Sequence, residues 1–161
     1  MSLCSLGMLM LWCVAGAADE PRSTTLQDFD RGHKGFSFSQ GKQIAPDNPR
    51  EFPLEIDLYF DLPHGLIMNN SASGPIFKGK GGIVDMGAKP LKAIKEAPLR
   101  GNYKVGLSPR ELIVGHTYCV RTADGKHVAK FQITNFDQNE ETLSFSWVYQ
   151  PKDTNKFDDG K

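Results

Sequence analysis

Charge of one sign is missing from this 161-residue chain. Nineteen Lys and Arg residues balance nineteen Asp and Glu residues. Nucleic-acid binders concentrate positive charge to neutralise phosphates, so the balance argues against a nucleic-acid partner. It offers no cationic excess for an anionic membrane surface either. Cysteine is scarce: Cys4, Cys13 and Cys119 are the three present. Long apolar runs are lacking too. The one that stands out covers residues 6–14, too short to span a bilayer. No heptad and no internal repeat occurs. The glycine-rich "FKGKGGIV" lacks the G-K-[ST] ending of a phosphate-binding loop, so it reads as a turn between strands.

The apolar run is followed by Ala15-Gly16-Ala17 and then by Asp19 and Glu20. This is the pattern of a secretory signal peptide over residues 1–17, although no Lys or Arg precedes the run. Cleavage there removes Cys4 and Cys13 and leaves Cys119 as a lone thiol, unable to form an intramolecular disulfide. The mature chain is then expected to be secreted or periplasmic, with no transmembrane span. Residues 18–34 are polar and read as a flexible N-terminal arm, residues 35–150 as a β-domain, and residues 151–161 as a polar, frayed tail. A chain of this length builds one core without staples.

Sixteen glycines and ten prolines suit short strands and turns better than long helices. "GFSFSQG" alternates Phe36 and Phe38 with serines, as a half-buried strand does. "LEIDLYFDL" predicts a longer strand, with Leu54, Ile56, Leu58, Phe60 and Leu62 on the core side and Glu55, Asp57, Tyr59 and Asp61 in water. Shorter pieces are expected at 76–78, 82–86 and 91–94. In "LSPREL", Ser108 and Glu111 form a capping box, with Pro109 in the first helical position and Leu107 and Leu112 placed as a hydrophobic staple, so one short helical turn is expected.

The stretch "GHTYCVRTADGKHVAKFQI" predicts a hairpin. Asp124-Gly125 suits a two-residue type I′ turn, which needs positive φ at both central residues. The register then pairs Ala123 with Lys126, Thr122 with His127, Val120 with Ala129, Tyr118 with Phe131 and His116 with Ile133. On the other face, Arg121 meets Val128, Cys119 meets Lys130 and Thr117 meets Gln132. "TLSFSWVYQ" completes a meander with Leu143, Phe145 and Trp147 inward. The fold expected is all-β, a compact antiparallel sandwich or partly open barrel of about seven strands with one short helical turn. Its core is expected to hold Phe36, Phe38, Leu54, Ile56, Leu58, Phe60, Tyr118, Val120, Phe131, Ile133, Leu143, Phe145 and Trp147.

Candidate chemistry is thin. A cysteine nucleophile needs a base within hydrogen-bond reach, and the register points Cys119 away from His116 and His127. Asp57, Asp61 and His64 form a D-x-x-x-D-x-x-H run, but four strand residues separate the carboxylates by about 13 Å, too far for one ion. The tail acids Asp153, Asp158 and Asp159 lack calcium-loop spacing. Asn69 in "NNS" is a formal glycosylation acceptor. Tyr59 and Tyr149, at solvent-facing or rim positions, and Arg121 are the candidate binding residues; aromatics on a sheet can stack on sugars or anchor a protein. No catalytic residue, metal ligand or cofactor is assigned.

"VGHTYCVRTADGKHVAKFQI" with the following "TLSFSWVYQ" resembles a hairpin-plus-strand pattern of exported bacterial β-domain proteins of uncharacterised function. "LEIDLYFDL" and "GFSFSQGK" are similar to the earlier strands of those sequences. The resemblance implies an exported small bacterial β-domain, in which Asn69 would not be glycosylated, and it carries no active site across. Two functions remain open: a non-catalytic binding module for a glycan, a protein or another cell-envelope component, and a hydrolase or thiol-dependent enzyme whose site joins Cys119 to a distant His64 or His33.

Overall fold

The structure, a computed structural model, describes residues 20–48, 51–99 and 103–157. Expectations for residues 1–17 lie outside them. Among the described residues ten strands form two five-stranded antiparallel sheets, more than the seven expected because several are only two to four residues long. In the first sheet the order is β1 (Arg22–Gln27), β10 (Thr142–Gln150), β9 (Val128–Asp137), β8 (Thr117–Arg121) and β6 (Gly82–Asp85). In the second it is β3 (Lys42–Ile44), β2 (Gly35–Ser37), β4 (Leu58–Asp61), β5 (Gly65–Met68) and β7 (Gly106–Leu107). The inner faces enclose one apolar core built around Phe36, Phe38, Phe60, Phe131, Phe145 and Trp147. The rings of Phe131 and Phe145 lie 4.9 Å apart, within the range of favourable aromatic pairs.

The meander pairs as its alternation requires. Thr117 meets Gln132, Tyr118 meets Phe131, Cys119 meets Lys130, Val120 meets Ala129 and Arg121 meets Val128. Its turn differs from the one expected. Gly125 has φ of 73°, but Asp124 does not have positive φ, so a type I′ turn does not form. Thr122 N–H donates to His127 O and Gly125 N–H donates to Thr122 O, which opens the Ala123–Lys126 pair into a four-residue loop. Asp124 explains the preference. Its Oδ1 accepts from the Lys126 and His127 N–H groups and from the Thr122 hydroxyl, satisfying donors that a tighter turn would strand. Between β9 and β10 a bulge at Ser144/Phe145 resets the pairing, so both Phe136 and Ile133 contribute to the core.

The segment at 54–62 corrects the expected alternation. Only Leu58–Asp61 is strand. Pro53 is followed by a turn, and Leu54 is 49% exposed rather than in the core. The parity then breaks. Ile56 packs with Phe52 and Phe77 on the outer side of the second sheet, together with Tyr59, while Leu58 and Phe60 face the core. Asp57 is not solvated: it is 3% exposed. Its Oδ2 accepts from Phe38 N–H and its Oδ1 from Ala123 N–H, both at 2.8 Å. Asn69, far from being an accessible glycan acceptor, is buried beside it. Its amide donates to Pro53 O and Ile56 O at 2.9 Å and its Oδ1 accepts from Gly79 N–H.

Both ends of the domain are also better ordered than composition suggests. Residues read as an arm form β1 and a short helix, α1 (Phe29–Gly32), capped by Asp28. β1 adds to the sheet edge with one buried apolar side chain, Leu26, and with Ser23 and Thr25 hydroxyls paired to Ser146 and Ser144. Residues read as a frayed tail carry the buried Phe157, whose N–H donates to Lys95 O. The capping box forms as expected, with a 3-10 turn at Pro109–Glu111 and buried Leu107 and Leu112. Among the described residues no helix is long and apolar enough to cross a membrane.

Burial pushes the Asp57 carboxyl up from 3.8 to about 6, although the two N–H donors pull the other way. Native Asp57 therefore binds its proton more tightly than unfolded Asp57. The stability from this group is fully present below about pH 4 and is lost as pH rises through about 6, an effect of ~3 kcal/mol. In Asp57→Asn this dependence disappears. The variant is also destabilised by about 1–3 kcal/mol, because its amide NH2 faces a backbone donor. Urea unfolding of both proteins at pH 4.5 and pH 7 checks this; an equal pH dependence in the variant would rule the assignment out.

Candidate functional site

The structure separates the three candidate binding residues. Tyr59 on β4 is packed among rings: 4.9 Å from Phe29, 5.2 Å from Phe52 and stacked at 5.8 Å on Phe77. Burial, with Asp61 and Asp30 adding to it, pushes its hydroxyl up to about 12. Its face is occupied, so it offers no free platform for a sugar. Tyr149 lies at the rim, in the same parity as Trp147, and lines a small cleft of about 210 Å³ with Arg22 and Trp147. Its ring is 5.8 Å from His127.

Arg121 is the residue that opens onto a substantial site. It ends β8 on the face opposite the core. Its guanidinium lies 4.9 Å over the Tyr103 ring and its Nη2 donates to Leu99 O at 3.1 Å. Those two supports fix the planar group while leaving most of its donors available. The cleft it enters has a volume of about 360 Å³. One wall is the hairpin, with Arg121, Lys126 and His127; the other is Pro98, Leu99 and the 153–155 segment. Asn155 anchors that second wall by donating to Ala97 O at 3.1 Å and to Glu96. Ala97 N–H donates back to Asn155 O.

Within the cleft, several groups are not consumed by the fold. Among the described residues the side chains of Lys126 and Asp153 have no partner. His127 Nδ1 is held 2.6 Å from Asp124 Oδ2, which leaves Nε2 for a ligand. Hydrogen bonds from Thr122, Lys126 and His127 overcome the effect of burial and carry Asp124 down to about 2, so it stays an anion and keeps the imidazole oriented. The arrangement presents guanidinium, ammonium and imidazole donors across from a carboxylate.

The other reactive side chains are distributed rather than assembled. His64 Nδ1 is 2.9 Å from Asp61 Oδ2, and His116 Nδ1 is 3.0 Å from Asp85 Oδ2. His33 caps α1 in a left-handed conformation and packs its ring on Phe29. Cys119 is buried with Ile94, Ala97, Val128 and Phe157 under the covered outer face of the first sheet. Burial pushes its thiol up to about 12 despite the nearby Lys130. Lys130 itself donates to Ile94 O and lies 4.4 Å over the Phe157 ring. Among the described residues no group of three His, Cys, Asp or Glu side chains is placed to hold a metal ion.

Residue-level reading of the sequence reached Arg121 but not the wall opposite it. The signal was the apolar Phe157 within "PKDTNKF", which a solvated tail has no reason to contain and which pins residues 153–155 beside the hairpin. No family model matches this chain, and no curated protein matches it.

A thiol that is buried and held protonated does not react as a nucleophile. Native protein treated with a disulfide reagent at pH 8 is expected to leave Cys119 unlabelled over the time in which denatured protein labels fully. Rapid labelling of the folded chain would revive Cys119 as a reactive centre.

Proposed function

We propose that this chain is an exported, non-catalytic binding module of the bacterial cell envelope or its surroundings, and that it takes a glycan in the cleft between the hairpin and the 153–155 segment. The observation that carries the reading is the pairing of a fixed guanidinium, Arg121, with unpartnered Lys126 and Asp153 across an open, polar cleft of about 360 Å³. Polyhydroxylated ligands need donors and acceptors converging from more than one side, and they do not need an apolar pocket. Groups held rigid before binding lose little further entropy on contact, which favours affinity. Export is supported by the apolar run at 6–14 followed by Ala15-Gly16-Ala17.

An enzyme centred on Cys119 is disfavoured by the chemistry of the thiol. Catalysis needs a thiolate near an oriented base, whereas Cys119 sits in an apolar cluster that raises its pKa. The imidazoles of His64, His116 and His127 are each committed to a carboxylate of their own turn or neighbouring strand.

A glycan array that includes uronate-containing and amino-sugar oligosaccharides tests the proposal. Binding is expected, and Arg121→Gln is expected to weaken it by about tenfold, the usual cost of losing a charged hydrogen-bond donor at a binding site. Tyr59→Phe is expected to leave affinity unchanged, since Tyr59 packs elsewhere. Glycan cleavage, or binding indifferent to Arg121→Gln in a variant that melts like the parent, would overturn the assignment.

A further inference from the structure

A second cleft lies where the chain crosses from one sheet to the other. Lys104 exchanges backbone hydrogen bonds with Ile83 at 2.8 and 2.9 Å, and Gly106 and Leu107 then pair with Ile67 and Leu66. The crossing leaves a cleft of about 300 Å³ whose apolar wall is Ile83, Val84, Leu107 and Ile113. It shares no lining residue with the hairpin cleft.

The charges at its rim are not equivalent. Asp85 is taken by His116, at 3.0 and 3.1 Å from its two oxygens. Glu111 accepts from the Ser108 N–H at 2.9 Å and from its hydroxyl at 2.7 Å, and it pairs with Lys104. Those donors hold the Glu111 carboxyl down at about 2, so it stays an anion bound to its own turn. Arg110 is the remaining charge. It is exposed, and among the described residues its side chain has no partner. Apolar surface also continues outside the cleft: Ile113 is 42% exposed and its neighbour Val114 54%.

We propose that this cleft docks a protein segment that lays one aliphatic side chain against Val84 and Ile113, over the buried Ile83 and Leu107, and an adjacent carboxylate on Arg110. The apolar wall excludes a strongly hydrated ligand, because desolvating polar groups there would go uncompensated. A guanidinium matches a carboxylate through two parallel hydrogen bonds, and among the described residues no acid is paired with it. The exposed Ile113 and Val114 argue for a polypeptide rather than a single acyl chain, which would fill the cleft and leave that surface in water. An apolar anchor bordered by an arginine is a common composition for the centre of a protein interface.

The probes are two blocked tetrapeptides, acetyl-Gly-Leu-Asp-Gly-amide and its counterpart with lysine in place of aspartate, titrated against the full-length protein by NMR. The acidic peptide is expected to shift the methyl signals of Ile83, Val84, Leu107 and Ile113 and to bind about tenfold more tightly than the basic one, as opposite charge at a desolvated rim requires. Arg110→Gln is expected to erase that difference, and Arg110→Lys to restore part of it, with no change in melting temperature. Equal binding of the two peptides, shifts confined to other residues, or no shifts at all would overturn the proposal. So would decanoate moving the same methyls at lower concentration than the acidic peptide, which would assign the cleft to a lipid. Each outcome is independent of whether the hairpin cleft binds a glycan.

Discussion

The carboxylate of Asp57 is the interaction on which the two sheets depend for their relative position. One oxygen holds the N–H of Phe38, beyond β2, and the other holds the N–H of Ala123, at the tip of the β8–β9 hairpin. The first belongs to one sheet and the second to the other. Asn69 extends the tie: its N–H donates to Asp57 O, its side chain gathers Pro53, Ile56 and Gly79, and its carbonyl accepts from Gly81 N–H. Lys80 N–H closes the circuit by donating to Ala123 O. These backbone groups lie between strands, where no ladder can satisfy them. Apolar packing is non-directional and would tolerate small slides of one sheet on the other. A buried acceptor with two fixed donors does not, since a slide strands a charge and two N–H groups at once.

That constraint reaches the candidate site. Ala123 begins the loop whose Gly125 and Lys126, together with Arg121 and His127, form one wall of the hairpin cleft. Asp57 fixes the loop from inside, and Asp124 fixes it from within its own turn. The opposite wall is held by Asn155 and by Phe157 in the outer cluster. Both walls are held by contacts within the protein. If the hairpin cleft takes the proposed glycan, it would discriminate by the positions of its donors rather than by closing around the guest.

Local pattern carried much of this fold. The meander's register follows from alternation alone, because any slip by one residue would turn Tyr118, Val120, Phe131 and Ile133 outward. The capping box at Ser108 is likewise complete within four residues. What alternation hid was the break at Ile56 and Asp57. Two residues that look like the middle of one strand leave it there, Ile56 to an outer cluster with Phe52 and Phe77, and Asp57 to donors 19 and 66 residues away in sequence. β1 was hidden for a different reason. An edge strand supported by its backbone ladder, one leucine and serine–threonine pairs has no apolar period to detect. Of the candidate binding residues, Arg121 lines the hairpin cleft and Tyr149 a different one, while Tyr59 became core-like because Phe29, Phe52 and Phe77 converge on it from three separate segments.

Asp28, Asp57, Asp124 and Glu111 all accept hydrogen bonds from backbone N–H groups, where a carboxylate can serve several donors. Asp61, Asp85 and Asp124 each orient an imidazole. These six acidic side chains therefore serve the protein's own turns, caps and imidazoles. The cations behave differently. Among the described residues Arg121 is braced but has no acid, and Lys126 and Arg110 are likewise without acids, at two separate clefts. Among the described residues the two clefts thus each keep a cation without an acid, whereas Arg31, Lys78 and Lys104 are paired with carboxylates. The ligands proposed for the two clefts would supply the missing acceptors, and they differ in what accompanies that group: hydroxyls at the hairpin, an apolar side chain at the crossing.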